Sequence, residues 1–445
     1  MRGNFARGNF ASFVRSTVAS AALAVSALAI ASPAMAKDKE KEAAKPSVSA
    51  EFGAVAGPVQ KAVTEFQEKK AKLAPDDLKT QATALLAQLA KIESKVKAPL
   101  DQQVFGQWEY IAAMSAGDEA LQAKGLNLMM ASGLMSPEQN QQIAAQLGQS
   151  AYRDKRWADA IKALTAAASG ANAQDGIGEM LAASYEGAGQ PKEALAALKK
   201  FVDTHQAANV AVGSEVYDFA VGVALRAKLV DETAYWALAR VAANPTARNW
   251  FDAAQLARTS IANPTNQDLL DIGRLLDQSG ALGLGPEIVG REYVIYLQSI
   301  NPNLLPSEAL RVKDEGLKSG ALRADDTFVK DIESSARPRL AADNASLDRL
   351  GTDAAAAPTS RVAVTAGNIF LSHKDWAKSD AMFTLALTKG VTEEDKNHVL
   401  IRLAMAQIGE GKFADAKASL GKVAGPQAAV AQLWSIFADQ KAAGK

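Results

Sequence analysis

The sequence predicts an all-α protein made of stacked antiparallel helix pairs, and three observations carry that expectation. Apolar residues recur at helical spacing. In "LLAQLAKIESKV", Leu85, Leu89, Ile92 and Val96 fall three or four apart, on one face of a helix. The segments between such stretches share one turn grammar. The chain also repeats itself, with an interval of 34 residues between Leu147 and Leu181. Strand signals are weak, because aromatics make up only 6% of the residues and runs of alternating Val, Ile or Thr are short. Alanine dominates many segments, which favours helix and lets helices approach closely.

Residues 1–36 are set apart as a signal peptide. Arg2, Arg7 and Arg15 give a positive start without acids, "TVASAALAVSALAIA" is a short apolar run, and Ala34 and Ala36 frame a small-residue cleavage site. A membrane span needs about 20 apolar residues, so cleavage after Ala36 is favoured over an uncleaved anchor. No later stretch of that length is free of charge, and no transmembrane anchor is expected after cleavage. The expected compartment is the periplasm of a Gram-negative bacterium, with full secretion as the alternative. Residues 37–57, opening "KDKEKEAAKPSVSA", alternate lysines with acids and are expected to form a charged flexible linker.

Helices are expected from Pro58 onward. Residues 58–350 read as an N-terminal solenoid, with its clearest repeat units over about 141–206. The Ala-rich 351–361 reads as a hinge, and 362–445 as C-terminal repeat units ending in a capping helix, "AAVAQLWSIFADQKAAGK". Four turns, "ASGLMSPEQN" (131–140), "QSGALGLGPE" (278–287), "KSGALRADDT" (318–327) and "TKGVTEEDKN" (388–397), each place Gly, then an apolar residue, then a polar or acidic start. Gly accepts the left-handed conformation that ends a helix. Ser, Thr or Asp then caps the next one, and acids in its first turn suit the helix dipole. Asn-Pro pairs at 244, 263 and 301 mark further breaks.

The repeat is visible when "LGQSAYRDKRWADAIKAL" (147–164) is laid over "LAASYEGAGQPKEALAAL" (181–198). Leu147-Gly148 matches Leu181-Ala182, Ala160-Ile161 matches Ala194-Leu195, and Leu164 matches Leu198. Two further units, 366–383 and 403–420, carry Gly367, Phe370, Trp376 and Phe383, then Ala404, Gly411, Phe413, Ala416 and Leu420, with Ser379 in place of one Ala. This pattern resembles the tetratricopeptide repeat. The early Trp and closing Pro of that family are missing from all four units, and clear matches cover about a third of the chain after Ala36. The resemblance implies a right-handed α-solenoid whose first helices line a concave groove that receives a protein or peptide. The groove positions it implies are Gln149, Tyr152 and Arg153, Glu179 and Glu186, and Arg361 and Asn368, followed by His398, Ile401 and Met405 in the last unit. The Lys-Asn clamp of chaperone-binding relatives is incomplete, because Val364 stands one turn before Asn368.

Little points to catalysis, and no catalytic, metal or cofactor site is expected. The chain has no Cys, which removes disulfides, thiolate metal sites and cysteine nucleophiles. Its three histidines, His205, His373 and His398, lie far apart in different units, and His373 is expected to be solvated in a turn. The glycines of "ALGLGPEIVG" (281–290) and of "GEGK" (409–412) lack the strand and the Lys-Ser/Thr ending of a phosphate loop. "SGLMSPEQ" (132–139) resembles the Gly-Leu-Met run of periplasmic lytic transglycosylases, but the upstream Glu119 precedes Ala120 rather than Ser.

Nucleic acid is not an expected partner. The full chain balances 49 basic against 49 acidic residues, and the three signal-peptide arginines are among the basic ones. The basic "AYRDKRWADAIKAL" (151–164) reads as a joint between two helices, with Trp157 in the slot of Trp376 and Phe413. The expectation is therefore a non-enzymatic scaffold that binds a protein or peptide partner, in envelope assembly or secretion. The alternative is an enzyme or accessory factor acting on peptidoglycan or surface polysaccharide.

Overall fold

Many of the helices begin where the sequence supplies proline or a capping side chain. The structure, a computed structural model, describes residues 46–444, and the proposed signal peptide lies outside them. Among the described residues there are α-helices and short 3-10 turns and no strand. The helices are α1 (Ala50–Lys69), α2 (Pro75–Ile92), α3 (Pro99–Ala116), α4 (Glu119–Ala131), α5 (Pro137–Arg153), α6 (Trp157–Ala167), α7 (Asp175–Gly187) and α8 (Pro191–Ala207). They continue with α9 (Ser214–Arg226), α10 (Val230–Ala243), α11 (Ala247–Thr259), α12 (Asn266–Gln278), α13 (Pro286–Ser299), α14 (Pro306–Lys318) and α15 (Thr327–Ala336). The last are α16 (Leu340–Ala356), α17 (Ser360–Ser372), α18 (Trp376–Lys389), α19 (Glu393–Gly409), α20 (Phe413–Leu420) and α21 (Ala428–Ala442). Pro75, Pro99, Pro137, Pro191, Pro286 and Pro306 each open a helix, where the missing N–H costs no hydrogen bond.

The predicted turn chemistry is present. Gly133, Gly280, Gly320 and Gly390 all have positive φ. Ser136, Asp326 and Thr392 then accept backbone N–H bonds from Gln139, Phe328 and Asp395. A second turn recurs inside the helix pairs. Lys155, Gly189, Lys228, Lys374 and Gly411 are left-handed. In each case the next residue donates its N–H five residues back, as in Arg156 to Ala151 (2.9 Å), Gln190 to Tyr185 (2.8 Å), Leu229 to Ala224 (3.0 Å), Asp375 to Phe370 (2.9 Å) and Lys412 to Gln407 (2.8 Å). This is the Schellman closure of a helix end. The second helix starts one residue later, at Trp157, Pro191, Val230, Trp376 or Phe413.

The pairs cross where the repeat places small residues. Ala160, Ala194, Ser379 and Ala416 are completely buried. A Cβ on Gly148 would lie 2.5 Å from the Leu164 side chain, and one on Gly367 would lie 2.8 Å from the Phe383 ring. Trp157 packs on Gly187 and Trp376 on Gly409, so the aromatic at the turn joins its own pair to the next helix along. Ser379, where the other units have Ala, donates its hydroxyl to the Gly367 carbonyl at 3.0 Å. The chain is thus an all-α solenoid of antiparallel, tetratricopeptide-like helix pairs.

Two expectations about organisation differ from the structure. Residues 50–57 are helical rather than linker. Ser49 caps α1, Asp101 accepts the Ser49 N–H at 2.9 Å, and Phe52 and Ala56 are buried. The charge run ends before this point, and the apolar face of α1 packs on α2 and α3. The proposed hinge is also largely helical. Residues 351–356 belong to α16, leaving a connection of three residues before α17. The chain divides into two compact units at Val216 and Tyr217, within α9.

Unit 1 takes the described residues up to Val216 and stacks α1–α8. Unit 2 runs from Tyr217 and closes on itself. Its α21 packs against α10, α11 and α12 as well as its neighbour α20. Trp250 of α11 meets Phe437 of α21 edge to face, with ring centroids 6.0 Å apart. The Gln440 side chain donates to the Val241 carbonyl at 3.0 Å. The helix read as a cap is therefore also a clasp, seated on helices some 200 residues earlier.

Candidate functional site

The groove positions separate by unit. In unit 1, α5 and α7 lie side by side as first helices of consecutive pairs. Gln149 and Tyr152 on α5, and Glu179 and Glu186 on α7, are partly exposed, while Arg153 is exposed. Tyr152 rests edge to face on Trp157, with centroids 5.7 Å apart, and its phenol is held above the usual value by burial and by the charge of Glu186. Arg153 pairs with Glu119 of α4 at 3.5 Å. Glu179 carries the largest displacement in this unit. Burial, and then the charges of Asp175 and Glu215, push its carboxyl up to about 7. Asp175 in turn accepts the Gly213 N–H at 2.9 Å. The structure thus brings Tyr152 and Glu186 together, and Glu179 beside two further acids.

In unit 2 the expected groove is filled. Arg361 is exposed at the first turn of α17. Asn368, two turns on, is only 8% exposed; its amide bonds to the Val364 carbonyl and its oxygen faces Arg274 at 3.4 Å. His398, Ile401 and Met405, expected to line a groove, are buried. The cause is α12, which packs across α19.

Helix α12 brings a line of charge that the sequence analysis missed. Asp271, 1% exposed, accepts from Arg402 Nε and from His398 Nδ1, both at 2.7 Å. Burial opposes its ionisation, but the Arg402 guanidinium and the His398 contact outweigh burial and hold the carboxyl below its ordinary value. Arg402 also reaches Gln267. One turn along, Arg274 grips Glu308 of α14 through two bonds, 2.9 Å and 2.7 Å, and the Tyr296 hydroxyl donates to the same carboxylate at 2.8 Å. Asp277 pairs with Arg311 at 2.7 Å. Asp268 accepts from Gln427 at 2.9 Å while closing the capping box with Thr265. The signal was legible in principle. Asp268, Asp271, Arg274 and Asp277 recur every three residues along one stripe of "NQDLLDIGRLLDQ", which reads as a solvated face unless another helix covers it.

Beside this network lies a pocket of about 440 Å³, within unit 2. Arg274, Tyr296 and Glu308 of the buried cluster line it, with Arg311, Lys374 and Lys441. Trp376, Phe413 and Phe437 supply aromatic walls. Its volume falls in the range of small-ligand sites.

The remaining candidates resolve as structure. His205 sits between the carbonyls of Phe201 and Ala173, at 2.8 Å and 2.9 Å. His373 is not solvated as expected, because it bonds to Asp343 of α16 at 2.6 Å. No group of three or more potential metal ligands occurs among the described residues. No helix among them is long and apolar enough to cross a membrane. "ALGLGPEIVG" forms a 3-10 turn followed by the start of α13. "SGLMSPEQ" is the Ser136–Gln139 capping box, and Glu119 is an exposed residue at the start of α4.

No family model matches the chain, and no curated protein matches it. Solved structures are similar to it, among them the following two. One is the "TPR2AB-domain:pHSP90-complex of yeast Sti1", 14% identical, covering 68% of this chain and 97% of that one with a TM-score of 0.23. The other is the "Structure of Naa15/Naa10 bound to HypK-THB", 12% identical, covering 88% of this chain and 72% of that one with a TM-score of 0.27.

Proposed function

We propose that the protein is an exported, non-enzymatic scaffold that binds a protein or peptide partner, in envelope assembly or secretion, and that unit 1 supplies the binding surface. The observation that carries this reading is the contrast between the units. The first-helix positions of α5 and α7 remain partly exposed and polar, whereas those of α19 are packed against α12. A stack of helix pairs offers a side-chain surface without needing a reactive centre. Tyr152 adds a rigid aromatic contact with a polar tip, the kind of residue that anchors interfaces.

In-cell crosslinking from position 152 should capture one dominant partner, and Arg153→Ala with Glu186→Ala should reduce its yield without lowering stability. Capture of nothing above background, or an unchanged yield in the double variant, would overturn the reading. The periplasmic assignment rests on Arg2, Arg7, Arg15 and the apolar run after them. N-terminal sequencing of the exported form should begin at Lys37, and a full-length cytoplasmic protein would refute it. Cleavage of peptidoglycan by the purified protein, abolished by Glu119→Gln, would replace the scaffold reading with the enzymatic one.

A further inference from the structure

We propose that the pocket of unit 2 is a binding site for a carboxylate attached to an aromatic or branched apolar body. This goes beyond the scaffold reading and does not depend on it, because none of the unit 1 surface contributes.

The charge of the lining sets the sign of the ligand. Four cations, Arg274, Arg311, Lys374 and Lys441, face two anions, Asp277 and Glu308. Arg274 is matched by Glu308, and Arg311 by Asp277 and Glu315. The lysines are not matched in this way. Lys374 stands exposed in the left-handed turn before Trp376, and its ammonium makes no ion pair or hydrogen bond among the described residues. Lys441 sits 5.1 Å over the Phe437 ring, a contact that leaves its donors free for an acceptor. Arg311 also keeps a buried Nε–H without an acceptor. The lining therefore has an excess of two positive charges, with two carboxylates built into the wall. The excess favours an anion, and the Arg311 Nε–H and the lysine ammoniums offer donors to the oxygens of a carboxylate.

The rest of the wall sets the body. Trp376, Phe413 and Phe437 are flat apolar surfaces, and Leu371 and Ile408 add aliphatic ones. A volume of about 440 Å³ accommodates one or two residues of a peptide, or a small aromatic acid. The site is also preorganised. Trp376 is packed against Gly409, and Arg274, Glu308 and Tyr296 form a closed set of hydrogen bonds beneath it. Binding then orders little beyond two lysine side chains.

The test uses the full chain and two matched pairs of probes. N-acetyl-phenylalanine is compared with its amide, and an Ala-rich peptide ending in Phe is compared with its amidated form. Calorimetry reads affinity, and methyl NMR of Ile408 and Leu371 reads location. Both acids should bind about tenfold or more tightly than their amides. Lys374→Gln with Lys441→Gln should weaken the acids about tenfold while leaving the thermal midpoint unchanged, since both lysines are exposed. If the peptide acid binds at least as well as the acetylated residue, the natural source is a polypeptide C-terminus. If only the small acid binds, the source is a free carboxylic acid. Equal binding of acid and amide, an unaltered double variant, or no binding below about 10 mM would each overturn the proposal.

Discussion

Asp271→Ala is the most discriminating single change in unit 2. The carboxylate holds the Arg402 guanidinium and the His398 ring, each at 2.7 Å, and all three side chains are at least nine-tenths buried. Removing it strands a guanidinium that is 3% exposed, with Gln267 as its remaining hydrogen-bond partner among the described residues. Breaking a buried pair from one side costs about 3–5 kcal/mol, because the remaining charge is left uncompensated. Lys199 and Asp203, 2.7 Å apart but half exposed on α8, make the control. Breaking an exposed helical pair costs about 0.3–0.5 kcal/mol, so the two distances are alike while the costs differ about tenfold. With a urea slope of about 3 kcal/mol/M, Asp271→Ala should lower the midpoint of unit 2 by about 1–1.7 M. Hydrogen exchange of α12 and α19 peptides assigns the loss to this unit. Arg402→Met added to Asp271→Ala should restore part of the loss, with a coupling of about 1–3 kcal/mol. The carboxyl is depressed in the fold, so its contribution is complete above the unfolded value of 3.8 and fades as pH falls through the lower folded value. A loss under about 1 kcal/mol, or additive single and double variants, would refute the claim that burial sets the worth of this pair.

Four further outcomes follow from other contacts. Glu179→Gln should flatten a pH dependence of unit 1. Its folded value is raised to about 7 from 4.5, so its contribution is complete below 4.5 and lost as pH rises through 7, and hydrogen exchange of α7 between pH 5 and 8 reads this. Gly409→Val should destabilise unit 2 by about 1–3 kcal/mol through collision with the Trp376 ring, measured by urea unfolding. Trp157→Ala should cost about 2–3 kcal/mol, less than a fully buried Trp, whereas Arg153→Ala, losing one exposed pair, should stay within about 0.5 kcal/mol of the parent. Deleting 428–445 should abolish cooperative unfolding of unit 2 while α1–α8 keep their exchange protection, because α21 packs on the helices of unit 2.

The features legible in the sequence were local ones. Gly at helix ends, Ser or Thr at starts, and an aromatic facing a small residue are each decided within one pair or its neighbour, so Trp157, Trp376 and Phe413 took their places as expected. The C-terminal groove was misjudged for the opposite reason. Whether Ile401 meets solvent depends on α12, well over a hundred residues away, and no repeat pattern encodes that approach. His373 failed similarly, because Asp343 stands on a helix with no repeat motif. At the linker, the apolar spacing of Phe52, Ala56 and Val59 was present but was overridden by the charge run before it.

The clasp by α21 changes how unit 2 comes into being. An open stack can gain order pair by pair, each new hairpin settling on the last. Here Gln440 must find Val241 and Gln427 must find Asp268, contacts that span 199 and 159 residues. Such contacts are entropically expensive to close and slow to form. Helix α21 follows in the chain every helix of unit 2 on which it packs, so until it is made those helices wait with Trp250 lacking the Phe437 ring. The fold itself acts as a length check: a chain cut short before 428 leaves an apolar seam that chaperones and proteases can recognise, whereas a chain carrying residues 428–442 buries it.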